Sequence, residues 1–113
     1  MAKPYLIAVC VGSTLDQQTN NFTLFNLVEE VQTNTAPVDL PLEVHAYYQF
    51  DEAERGREHE LRVALISTDD GGIWHSRPVP IVSQHRRHRV RLQGLHFPAF
   101  GLFAVFSEVR ARE

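Results

Sequence analysis

Leu42-Glu43-Val44-His45-Ala46-Tyr47-Tyr48-Gln49-Phe50 is the stretch on which the fold turns. Leu42, Val44, Ala46, Tyr48 and Phe50 alternate with Glu43, His45, Tyr47 and Gln49, and successive side chains of a strand point to opposite faces. The segment therefore reads as an amphipathic strand with the first set on a core and the second on the other face.

The same rhythm runs outward in both directions. Downstream, residues 51–58 form a charged connection around Gly56, after which Leu61, Val63 and Leu65 alternate with Glu60, Arg62 and Ala64. Asp69-Asp70-Gly71-Gly72 reads as a hairpin turn, because glycine reaches positive φ freely and aspartate bonds the backbone that follows it. Residues 73–82 carry Pro78 and Pro80, which donate nothing to a ladder, so this strand belongs at an edge or is broken. Residues 85–93 alternate again, with Val90 and Leu92 inward and Arg87, Arg89, Arg91 and Gln93 outward. The last strand is predicted over 102–110, where Pro98 and Gly101 allow a tight entry that turns Phe103 into the core. Upstream, Pro37 and Pro41 bracket a loop, a strand of uncertain register covers 22–32, the polar run Ser13–Asn21 connects, and a first strand covers 4–11.

About seven short strands with no amphipathic helix predict an all-β chain, an antiparallel two-sheet β-sandwich that is immunoglobulin-like in the broad sense. Cys10 and Trp74 are the only residues of their kinds, so the Cys-Trp-Cys set of an antibody domain is absent. The 113 residues carry no repeat or linker, and 1–113 reads as a single domain. Phe22-Thr23-Leu24-Phe25-Asn26-Leu27-Val28-Glu29-Glu30-Val31 and Leu95-His96-Phe97-Pro98-Ala99-Phe100-Gly101-Leu102-Phe103-Ala104-Val105 resemble a family of small uncharacterised bacterial β-sandwich proteins, and Glu58–Val63 after Gly56 fits as well. That resemblance implies the sandwich fold and transfers no activity, since its motifs are those of packing and turns.

Composition narrows the function. A net charge of -3 and a pI near 6.0 argue against a general nucleic-acid binder. The charge is divided, however: six of the fourteen acids fall between Glu43 and Glu60, and four of the eleven bases between Arg86 and Arg91. One cysteine excludes an internal disulfide, and the apolar run 5–11 is too short to span a bilayer, so a cytoplasmic location with no membrane contact is the expectation.

Arg87, Arg89 and Arg91, two apart on one strand, form a row on one face suited to phosphate, a polyanion or an acidic protein partner. His85 and His88 are the closest histidine pair, but positions three apart on a strand point to opposite faces and four arginines surround them, so neither metal nor any other cofactor is expected. Asp69 and Asp70 offer too few oxygens for calcium, Cys10 in an apolar strand reads as an inert buried thiol, and no catalytic triad or phosphate loop is present. The chain is not expected to be an enzyme. Leu102, Ala104 and Phe106 on one face of the last strand oppose Phe103, Val105 and Val109 on the other. A strand apolar on both faces needs a second cover, so self-association as a homo-oligomeric dimer is expected there. The favoured reading is a self-associating or protein-binding module, the alternative a polyanion binder through the arginine row.

Overall fold

The computed structural model describes residues 3–112. Eight strands form two four-stranded antiparallel sheets, a β-sandwich as the alternation predicts. In chain order they are β1 (Lys3–Asp16), β2 (Asn21–Leu27), β3 (Val38–Gln49), β4 (Glu58–Ser67), β5 (Ile73–His75), β6 (Val79–Val82), β7 (Arg87–Phe97) and β8 (Phe103–Ala111), with a short 3-10 turn at Glu52–Glu54. The first sheet runs β2-β1-β3-β7. In the second, β8 lies along one edge of β4, while β5 and β6 share the other edge end to end.

The predicted inward residues meet between the sheets. Tyr48, Phe50, Leu61, Ile81 and Val90 form one buried cluster, Val44, Val63, Leu65 and Leu95 a second, and Leu92 packs against both. The Tyr48 hydroxyl donates to Ser107 Oγ, a polar link between facing sheets that leaves neither group unpaired. Phe103 turns inward as expected, edge-on to Phe97 at 6.0 Å.

The segment 73–82 is broken into β5 and β6 around Pro78 and lies on an edge of β4, as its prolines predict, and this break raises the predicted seven strands to eight. Other boundaries differ from the sequence reading, each for a local reason. Pro41 lies inside β3 instead of closing a loop, and the β3–β7 register shifts between Leu40 and Glu43, so the ladder slips where proline has no N–H to give. The predicted 22–32 strand ends at Leu27, one residue after Asn26 adopts a φ of 53° and bends it away from the ladder. Finally, β1 continues through the polar run to Asp16, pairing Leu15 with Phe22 and Asp16 with Asn21. Among the described residues no helix is long and apolar enough to cross a membrane.

Candidate functional site

The β1–β2 hairpin supplies what alternation does not foretell. The Asp16 carboxylate accepts from the Gln18 amide and its carbonyl from the Asn20 amide, which closes the turn and sets Asn20 at a φ of 59°, tolerable for asparagine. From that turn the hairpin tip reaches over the outer face of the first sheet, across β3, to β7. There Arg89 donates from Nη1 to the Asn20 carbonyl at 2.7 Å and from Nη2 to the Asn20 side chain at 3.0 Å. Its guanidinium lies 4.6 Å from the centre of the Phe22 ring, a cation–π contact that holds the strap down.

Two features are built under this strap. The first is a cleft of about 870 Å³ lined by Tyr5, Thr19, Asn20, Tyr47, His85 and Arg87, with Leu6, Asn21, His88 and Arg89 completing its walls. The β3–β7 register places Tyr47 beside Arg89, Gln49 beside Arg87 and His45 beside Arg91 on one face, so the predicted arginine row exists. Its members are used differently. Arg87 is exposed with its guanidinium 5.9 Å from the Tyr5 ring centre, Arg89 is committed to the strap, and Arg91 is outside the cleft, near the Glu43 carboxylate. Burial pushes the Tyr47 hydroxyl above its ordinary pKa, with Arg89 opposing the shift. Burial, aided by the charge of His85, holds His88 below the ordinary histidine value.

The second feature is a polar cluster. Cys10 on β1 faces Glu43 on β3, and His45 is two residues further along the same face. Glu43 Oε1 accepts from Ser13 Oγ at 2.7 Å and lies 2.9 Å from His45 Nε2. Those bonds, the Ser13 one foremost, hold the Glu43 carboxyl below the usual range, whereas burial and the neighbouring Glu43 charge raise the Cys10 thiol. The Phe22 ring packs edge-on to His45 at 5.7 Å. Glu43 and His45, expected on the open face of their strand, are thus buried by a strap that nothing in the period-two pattern announces.

The other predicted residues lie on the outer face of the second sheet. Ala104 and Phe106 pair with Ile66 and Ala64 on β4, and Ile73 on β5 pairs with Ile66, which gathers an apolar patch with Phe106 49 % and Ile73 59 % exposed. Leu102 precedes β8 and is 69 % exposed, its carbonyl accepting from the Thr68 amide and hydroxyl. Ion pairs between Arg62 and Glu108, 2.7 Å, and between Arg110 and Glu60, 3.1 Å, flank the patch. Glu60 also pairs with Arg112, so part of the acidic stretch is occupied within the chain.

A cavity of about 320 Å³ opens at the end of the sandwich beneath residues 28–36, lined by Val9, Leu40, Phe97 and Phe103 together with Glu29 and Glu30. Comparison of the chain with protein-family models, with curated proteins and with solved structures finds no match in any of the three.

Proposed function

We propose that this chain is a non-catalytic binding module whose cleft beneath the β1–β2 strap takes a small anionic ligand, a phosphate or carboxylate on a flat body. One observation carries the reading: in a protein of net charge -3, Arg87, Arg89 and His85 line the cleft and no carboxylate does, among the described residues, while His88, opposite Tyr48, turns its ring to the core side. A row of donors without a counter-charge favours an anion, and Tyr5 and Tyr47 offer ring surface for the body attached to it. Arg87 is the group that meets the ligand, and Arg89 fixes the wall. An acidic protein segment suits the site better than nucleic acid, because a single pair of aromatics gives a strand few stacking platforms.

Calorimetry at low salt with phenyl phosphate and with pyrophosphate tests this. Losing a charged hydrogen bond costs about 1.5–3 kcal/mol, so Arg87→Ala should weaken binding by about tenfold or more. Arg110→Ala, on the other sheet, should leave it unchanged. Binding of neither probe, or equal weakening by the two variants, would overturn the reading.

The patch around Phe106 favours a second function, self-association into a two-fold dimer. Its flanks carry both charge signs, Arg62 and Arg110 against Glu60 and Glu108, so a second copy rotated about a two-fold axis can meet opposite charge. Sedimentation at high micromolar concentration should give a dimer for the natural chain and a monomer for Phe106→Glu. A monomeric natural chain removes this reading. On the resemblance of its packing motifs, and its single cysteine, we assign the chain to a bacterial cytoplasm and to the uncharacterised sandwich family.

A further inference from the structure

We propose that Cys10, Glu43 and His45 form a binding site for a divalent cation of the zinc class, held by one sulfur, one carboxylate oxygen and one imidazole nitrogen. It lies beside the anion cleft and stands whether or not that cleft binds a ligand.

The three donors lie within 4.8 Å of one another, and the residues that bear them are 0 %, 8 % and 1 % exposed, respectively. A tetrahedral zinc ion bound at 2.0–2.3 Å spaces its ligand atoms by roughly 3.3–3.8 Å. The donors are therefore close to the required spacing before any ion arrives. Two adjacent strands fix them: Cys10 opposite Glu43 in the β1–β3 register, and His45 on the same face of β3. Ligands on paired strands keep their spacing without loop ordering. The donor set is also selective, since a sulfur and an imidazole suit zinc and disfavour magnesium or calcium, which prefer oxygen alone.

A hydrogen-bonded cluster that merely pins the hairpin is the competing account, and it covers Ser13, Glu43 and His45. It does not explain Cys10. A thiol needs no polar neighbour, yet this one is fully buried, reaches only the Gly12 carbonyl at 3.3 Å, and sits against a carboxylate and an imidazole. On binding, the cation replaces protons at two atoms. The thiol proton leaves to solvent, and the proton that His45 Nε2 shares with Glu43 leaves that nitrogen, the imidazole staying neutral with its proton on Nδ1. Metal–sulfur and metal–nitrogen bonds form in place of the S–H bond and the Nε2–H···Oε1 contact. Ser13 Oγ, already 2.7 Å from Glu43, is placed to orient the carboxylate, and Phe22 shields the imidazole from water.

Cobalt(II) added to the chelator-stripped full chain tests this without a variant, because a thiolate ligand gives a near-ultraviolet charge-transfer band and a tetrahedral site gives intense visible bands. Both should appear, and zinc should abolish them at one equivalent. Cys10→Ser should remove the charge-transfer band, and His45→Gln should weaken zinc by more than about tenfold, with circular dichroism confirming that each variant folds. His85→Gln/His88→Gln should bind as the natural chain does. Absence of the charge-transfer band in the natural chain overturns the assignment, as does loss of binding in the His85/His88 variant. If Cys10→Ser or His45→Gln fails to fold, zinc should instead slow modification of Cys10 by a thiol reagent in the natural chain, and an unchanged rate would count against the site.

Discussion

Tyr48→Ala should lower the unfolding free energy by about 3–5 kcal/mol in a urea titration, and Tyr48→Phe by only about 1 kcal/mol. The residue is 1 % exposed and packs with Phe50, Leu61 and Ile81 where the two sheets meet. Alanine deletes the whole ring and leaves a cavity that rigid strands on both sides cannot collapse, so transfer and cavity contributions add. Phenylalanine keeps the ring and removes one hydroxyl. Its cost is the unpaired Ser107 hydroxyl, which is half-buried and can recover part of its bonding from water. The ring should therefore outweigh the hydrogen bond by a factor of three or more, on the order of these ranges. Equal losses for the two variants would mean that the inter-sheet bond, and not packing, holds the layers together. Against a total stability of about 5–15 kcal/mol, the alanine variant should be partly unfolded at room temperature if the domain is at the low end.

What the sequence makes legible follows from how far each force acts along the chain. The core-facing sets of β3 and β4 are readable because burial is decided residue by residue with period two, and Val44, Ala46, Tyr48, Leu61, Val63 and Leu65 are all buried as their pattern requires. The Asp69–Gly72 turn is readable because its chemistry is local, with Asp70 Oδ1 accepting from the Gly72 amide at 2.7 Å and Gly71 at a φ of 74°. The arginine row is readable because strand parity alone fixes it. The strap is not, since it depends on Arg89 meeting Asn20, 69 positions away, after β1 and β2 have curled across β3. Nor is the cluster beneath it: Cys10 and Glu43 become neighbours only through the β1–β3 register, and an alternating polar set gives no sign that a second layer will cover it. Phe22 is the first large ring after the polar run Ser13–Asn21, and alternation places it on the same face as Leu24 without showing what that ring covers.

Phe50→Ala should act on both stability and titration. The ring is 2 % exposed and stands between two histidines, with its centre 5.0 Å from that of His59 and 6.1 Å from that of His88. Its deletion should cost about 3–5 kcal/mol near neutral pH. In the natural chain, burial first and the His85 charge second depress the His88 pKa, so the unfolded chain takes up that proton before the folded one does. The contribution of His88 to stability is thus complete above the ordinary histidine value of about 6.5, and is lost progressively as pH falls through that value toward the lower folded one. Without the Phe50 ring, water reaches the imidazole from the core side, its pKa rises toward the ordinary value, and this part of the pH dependence flattens. Urea titrations at about pH 7.5 and 5.5, on either side of that value, should show a smaller difference between the two conditions for the variant than for the natural chain. Following the His88 ring proton by NMR should show the matching upward move in midpoint. A lost 3–5 kcal/mol, about the cost of the ring alone, with an unmoved His88 midpoint would place the burial of this imidazole in other neighbours, and separate the packing role of Phe50 from any influence on the titration of His88.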